Sequence, residues 1–361
     1  MNNNIPENYK LTEVGVIPMD WEVKSIKQVA PLQRGFDLPN RNLQMGIYPV
    51  VYSNGIVNYH NKFQAKAPGI ITGRSGTIGK VTFVDVDYWP HNTTLWVTEF
   101  KNNNPKFIFY LFLKIKLERF SSGSGVPTLN RNDVHEFQIP LPKITEQTAI
   151  ATALTEADAL ISGIEKLIAK KRDIKHGAMQ KLLSPTEGWS VKKLGDVCIS
   201  ISSGKSNTNS NNGNYPIYGS TGIIGCKNTF DYEGTKILVA RVGANAGTVN
   251  KVFDKYCVSD NTLMITLKPN IDIDFIFFKL IVFQLNSLVF GSGQPLITGG
   301  QLKNIEIGLP KYEEQTRIAT ILSDMDAEIA VLEKKLEKYR AVKAGMMQNL
   351  LTGQIRLVPT E

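Results

Sequence analysis

The chain repeats itself at a spacing of 168 residues, so whatever it folds into must contain two copies of one plan. Trp21-Glu-Val-Lys-Ser-Ile26 returns as Trp189-Ser-Val-Lys-Lys-Leu194, and each follows turn-prone sequence holding Pro18 or Pro185. Tyr48-Pro49 and Tyr215-Pro216 lead into Val51-Tyr-Ser-Asn-Gly55 and Tyr218-Gly-Ser-Thr-Gly222, alternations that predict a strand closed by a tight turn. Ile70-Ile-Thr-Gly-Arg74-Ser-Gly-Thr-Ile-Gly-Lys80-Val81 matches Ile237-Leu-Val-Ala-Arg241-Val-Gly-Ala-Asn-Ala-Gly247-Thr-Val249, which reads as strand, glycine-rich loop, strand. Asn92 to Val97 pairs with Asp260 to Ile265 as another strand, and Phe107 to Phe112 with Phe275 to Leu280 as a short buried helix. Gly123-Ser-Gly125-Val-Pro127 matches Gly291-Ser-Gly293-Gln-Pro295, and Ile139-Pro-Leu-Pro142 matches Ile307-Gly-Leu-Pro310.

Each copy then runs into a long helix. Ile150, Leu154, Ala157, Ile161, Ile164 and Ile168 alternate steps of four and three, as do Ile318, Leu322, Met325, Ile329, Leu332 and Leu336. That spacing is the seam of a helix that packs against another helix, and each is the natural partner of the other. Carboxylates open both helices at Thr145-Glu-Gln and Glu313-Glu-Gln, where the helix dipole favours them. Both close on Met-Gln-x-Leu-Leu, at Met179 to Leu183 and Met347 to Leu351. Roughly 36 residues at about 1.5 Å each make a rod of about 55 Å. The fold class expected is α+β (mixed α/β), with two duplicated globular domains separated by two long helices packed as an antiparallel coiled coil. The expected boundaries are 1–143, 144–184, 185–311 and 312–361.

Composition narrows the function. With 361 residues and 42% hydrophobic content the chain can bury two sizeable cores, and its formal charge of +8, from 41 Lys and Arg against 33 Asp and Glu, favours an anionic partner such as nucleic acid. The N-terminus lacks the basic and apolar regions of a signal peptide, and the apolar stretch Ile271 to Phe290 is broken by charged and amide residues, which argues against membrane insertion. Cys198, Cys226 and Cys257 have neither disulfide-framework nor zinc spacing, so a reducing cytoplasm is expected.

No catalytic or metal-binding set emerges. Gly73-Arg-Ser-Gly-Thr-Ile-Gly79-Lys80-Val81 resembles a P-loop superficially, but its first Gly is one residue out of register and Val81 has no hydroxyl for Mg²⁺. His60, His91, His135 and His176 are scattered without ligand spacing. Asn104-Pro105-Lys106-Phe107 approaches the Asn-Pro-Pro-aromatic motif of amino-methyltransferases, yet Lys106 breaks it and no S-adenosylmethionine loop accompanies it. What remains is polar loops on two similar scaffolds, and such loops suit base-edge readout, since Arg reaches guanine and Asn or Gln reaches adenine. Arg74, Asn130 and Arg131 in the first copy, with Arg241, Asn245 and Gln294 in the second, are the candidate readers; Lys80 and Lys205 are the candidate phosphate contacts. Lys170-Lys171-Arg172 and Lys334-Lys335 read as solvated helix faces.

Taken in order and doubled, these motifs resemble the specificity (S) subunit of type I restriction-modification enzymes, over about Leu11 to Leu357. The resemblance implies two target recognition domains, each reading one half of a split double-stranded DNA sequence. It also implies a chain that is not itself an enzyme and holds no cofactor. Two modification subunits would bring S-adenosylmethionine and adenine-N6 methylation, and restriction subunits ATP, Mg²⁺ and nuclease activity. Because the copies differ most in their loops, the expected target is asymmetric as well as bipartite. The apolar Met179, Leu182, Leu183, Met347, Leu350 and Leu351 are candidates for exposed partner-subunit contacts. Rival readings are a two-domain protein-binding adaptor and a self-contained methyltransferase or nuclease.

Overall fold

The structure, a computed structural model, describes residues 5–122, 127–206, 212–290 and 295–357. The chain forms two compact units, one of residues 1–165 with 335–361 and the other of residues 166–334. The long helices span Ile144–Leu182 and Tyr312–Leu350, and the division between units falls within each of them.

In the first unit a four-stranded antiparallel sheet runs in the order Leu32–Arg34, Thr94–Val97, Gly69–Gly73, Val81–Val84. Successive side chains of a strand point to opposite faces. Ile70 therefore enters the main core while Ile71 joins a smaller cluster with Val51 and Tyr88, which is why Gly69–Gly73 is buried along its whole length. A second sheet pairs Tyr48–Tyr52 antiparallel with Gly55–His60 and parallel with Trp89–Pro90. The helix expected around Phe107 spans Pro105–Ile115, with Pro at its first position and the Asn104 side chain accepting from the amides of Lys106 (2.9 Å) and Phe107 (3.1 Å). Asn104-Pro105 is thus a helix start, as cap and first-turn chemistry dictate. Its Phe107 and Phe112 meet Trp21, Ile150, Leu154, Leu350 and Leu351 in the core. Truncating either ring to Ala would cost about 3–5 kcal/mol.

The second unit repeats these choices. Its antiparallel sheet runs Cys198–Ser203, Thr262–Leu267, Lys236–Ala240, Val249–Val252. Tyr215–Gly219 pairs antiparallel with Gly222–Lys227 and parallel with Lys255–Val258. Both hairpins carry a register shift at the same place, between Val50 and Val51 and between Ile217 and Tyr218. The helix Ile273–Phe283 buries Phe275 and Phe278 against Met179, Leu183, Ile318 and Leu322. Gly79 and Gly247 also correspond. Each has positive φ (+77° and +93°), and a Cβ on either would lie 2.6 or 2.4 Å from the amide nitrogen of Glu118 or Asn286 in the turn that follows the short helix.

Duplication extends to how the long helices are seated. Gln147 is buried; its side-chain amide donates to Pro142 O (3.0 Å) and Asn103 Oδ1 (2.9 Å), and its Oε1 accepts from the Asn104 amide (2.9 Å). Gln315 likewise donates to Pro310 O (2.9 Å) and accepts from the Asp272 amide (3.0 Å). At the other end, Lys114 Nζ donates to Gln348 O (3.3 Å) in the first unit and Lys279 Nζ to Leu183 O (2.9 Å) in the second, placing a cation on a carbonyl at the C-terminal end of each long helix.

Within each unit the two helix segments run antiparallel. Asp158 pairs with Lys343 and Glu165 with Arg340 in the first; Arg172 pairs with Glu333, Lys171 with Glu328 and Lys175 with Asp326 in the second. Such partly exposed pairs contribute about 0–1 kcal/mol each and act mainly on orientation. Lys171 and Arg172, read as a solvated face, are therefore interhelical partners. Ile164, Ile168 and Ile329 are buried along the helices; Ile150 and Leu154 share the first core with Leu350 of the other helix, and Ile318 and Leu322 share the second with Met179 of the other helix.

Candidate nucleic-acid interface

Arg74 and Arg241 each stand directly after the buried strand of their sheet, where the chain leaves the core for a loop. The Arg74 amide donates to Thr93 O (2.9 Å) and its carbonyl accepts from the Leu129 amide (2.8 Å). The Arg241 amide donates to Asn261 O (3.0 Å) and its carbonyl accepts from the Ile297 amide (2.9 Å). These partners are themselves 168 residues apart, so the two arginines are fixed by the same pair of bonds. Bridges Ser75 to Thr128 and Val242 to Leu296 continue the match. Both side chains are half-buried; Arg241 Nη1 reaches Asp260 O at 3.5 Å, and its Nε has no partner among the described residues. Beside Arg74, His91 Nδ1 lies 3.1 Å from Thr93 Oγ1 and its ring packs tilted against Tyr52, centroids 4.2 Å apart. Burial pushes the His91 imidazole below its ordinary range, against the opposing pull of Asp37, so this loop adds no charge of its own at neutral pH.

Arg74, Asn130 and Arg131 come together around one open hollow of about 530 Å³, whose walls also include Arg34, Leu95 and Thr128. Arg34 escaped the sequence reading. It arrives through the antiparallel pairing of Arg34 with Leu95, and a residue 61 positions away gives no local sign of that register. Asn130 has a structural duty, since its side chain caps the helix Arg131–Glu136 by accepting from the Asn132 amide (3.0 Å). Lys80 is elsewhere: its Nζ donates to Asn54 O, and it lines a separate hollow with Lys106, Asp85 and Asp158. In the second unit Asn245 sits exposed on the turn Gly243 to Gly247, where its carbonyl accepts from the Thr248 amide (2.9 Å). Lys205 is exposed between the bonded Gly204 and Ser206. Gln294, and most of both Gly-Ser-Gly loops, lie outside the described residues.

The helix endings differ from expectation. Met179, Leu183, Leu350 and Leu351 are 7%, 2%, 4% and 1% exposed, and Leu182 and Met347 pack against the same cores. They close the chain's own hydrophobic interiors and do not form an exposed apolar surface. The histidines are occupied structurally as well: His135 Nε2 accepts from the buried Leu32 amide (2.8 Å), and His176 contacts Gln180 (3.0 Å). Among the described residues no group of three or more His, Cys, Asp or Glu could hold a metal ion, and no helix is long and apolar enough to cross a membrane.

Comparison with known proteins agrees with this geometry. A family model, type I restriction modification DNA specificity domain, matches residues 18–172 and again 186–339. The chain is 26% identical to a Methanocaldococcus jannaschii protein provisionally designated the MjaX type I restriction enzyme specificity subunit, over 97% of each chain. It is 28% identical to the MjaVIII type I restriction enzyme specificity subunit of the same organism, over 69% of this chain and 70% of the relative. Its fold is similar to that of a type I restriction-modification S subunit from M. genitalium known from a crystal structure, with a TM-score of 0.71, 18% identity and 97% coverage of each chain. Two matches of one model, one per copy of the repeat, span most of the sequence, and the chain belongs to the type I restriction modification DNA specificity family.

Proposed function

We propose that residues 1–143 and 185–311 act as two target recognition domains, each reading one half of a bipartite, asymmetric double-stranded DNA sequence. The carrying observation is the placement of Arg74 and Arg241 by identical backbone bonds, in loops that otherwise differ: Ser75-Gly-Thr-Ile-Gly-Lys80 against Val242-Gly-Ala-Asn-Ala-Gly247. A shared scaffold holding unlike loops favours reading two different half-sites with one geometry. Methylation and cleavage fall to partners in this reading, with modification subunits supplying S-adenosylmethionine chemistry and restriction subunits ATP-driven nuclease activity. The assembly works in the cytoplasm, in keeping with three unpaired cysteines.

Methylated-base mapping in cells carrying wild-type or Arg74→Ala chain tests this. The substitution is expected to cost about 1–3 kcal/mol of discrimination and to relax one half-site only. Arg241→Ala should relax the other. A methylation pattern unchanged by both substitutions refutes the assignment.

A further inference from the structure

Residues 1–143 contain five arginines, at positions 34, 41, 74, 119 and 131, whereas residues 185–311 contain Arg241 alone. Three of the five converge on the first unit's hollow. Sheet register identifies their counterparts in the second unit. Arg34 faces Leu95 across an antiparallel pair, and Ser203 faces Leu263, the residue matching Leu95. Arg131 follows the capping Asn130, and Gly299 follows Thr298, which caps its own helix by accepting from the Gln301 amide (3.2 Å). Two of three guanidiniums are thus replaced by a hydroxyl and a hydrogen.

The first hollow is also poorly neutralised. Among the described residues the only ion pair made by these three side chains is Arg34 with Asp37 at 3.7 Å, and both groups are more than half exposed. Like charges gathered on one surface repel each other and are relieved by an anion. A phosphate oxygen pair fits the guanidinium fork. Arg34 and Arg131 are exposed at the hollow's walls, while Arg74, tied by its backbone, is the half-buried one.

We infer that Arg34 and Arg131 grip the DNA sugar-phosphate backbone at the half-site of the first unit, and that the second unit, lacking both, binds its half-site without these two phosphate contacts. This rests on the DNA-reading function proposed above. Its consequence is a division of labour, in which the first unit supplies the larger share of the salt-sensitive affinity.

The test is binding of the full chain, with and without modification subunits, to a random-sequence duplex of about 30 base pairs as salt is varied. Each lost phosphate contact flattens the log K against log salt slope by about 0.9. Arg34→Gln and Arg131→Gln together should therefore flatten it by about 1.8, which is about tenfold less affinity lost between 50 and 200 mM salt. The reciprocal variant, Ser203→Arg with Gly299→Arg, should steepen it. A Cβ at Gly299 meets nothing nearer than Ile201 at 3.7 Å, and circular dichroism establishes that each variant is folded. An unchanged slope in the folded Arg34→Gln/Arg131→Gln variant overturns the inference while leaving the DNA-reading function intact. A wild-type chain that ignores duplex DNA under every condition overturns that function itself.

Discussion

Glu146 and Glu314 hold the same place in the two copies, at the start of the long helices, and their surroundings have little in common. Glu146 is 3% exposed; it accepts from Trp21 Nε1 (2.9 Å) and from Arg356 Nε and Nη2 (2.7 and 2.9 Å), while Arg356 also reaches Asp20 (2.9 Å). Glu314 is half-exposed and pairs with Arg317, one turn along its own helix. The glutamines beside them, Gln147 and Gln315, make nearly identical bonds. What differs is the neighbouring chain. The segment after the second long helix returns to the first unit, whereas the segment after the first long helix continues into Trp189 and the second. Duplication preserves what a residue does inside its own copy and leaves open what it does toward a segment present beside only one.

The largest effect should come from that divergent position. Glu146→Ala leaves the Trp21 indole without its acceptor and Arg356 with Asp20 alone, and is expected to destabilise the first unit by about 3 kcal/mol. Glu314→Ala should cost the second unit about 0–1 kcal/mol. Hydrogen exchange resolved by unit measures both, and equal losses would erase the contrast. Next come the shared glutamines. Gln147→Ala and Gln315→Ala each strand buried backbone groups and should each cost about 1–3 kcal/mol in their own unit. Denaturant titration of the two variants that gave clearly unequal losses would show that the two clasps are not equivalent.

The smallest effect is a pH dependence that His135 brings to the first unit. Burial, assisted by Arg131 and Lys27, lowers the pKa of His135, whose neutral Nε2 accepts from Leu32; Lys303 occupies the corresponding place in the second unit. Because the folded value lies below the unfolded one, the unfolded state binds more protons. This contribution is therefore full above about pH 6.5 and is lost as pH falls through the folded value. Acidification should loosen the first unit, and His135→Asn should flatten the response. Equal acid sensitivity in both units, unaltered by the substitution, would count against it.

The duplicated plan was legible because spacing survives divergence: Trp21 with Trp189 and Gly79 with Gly247 lie 168 residues apart, and Arg74 with Arg241 lie 167 apart. The helices were legible from apolar spacing and from acidic first turns. Two things were hidden, both for the same reason. Arg34 joins Arg74 and Arg131 only through strand pairing, and Leu350 and Leu351 are buried only because a distant core receives them. Local pattern reports that a residue is polar or apolar; long-range pairing decides what it meets. Lys80 shows the converse, since a basic residue in a suggestive loop spends its charge on the carbonyl of Asn54.

The bond from Arg356 to Glu146 and Asp20 bears on the order in which the molecule is made. The second unit is one uninterrupted stretch, residues 166–334, and can close as soon as that stretch has left the ribosome. The first unit starts earlier, yet it waits for Leu350 and Leu351 to fill its core and for Arg356 to meet Glu146. Nascent domains generally complete in sequence order. Here the part synthesised first is completed last, so an interruption of translation near residue 340 would release a finished second unit joined to an open first one.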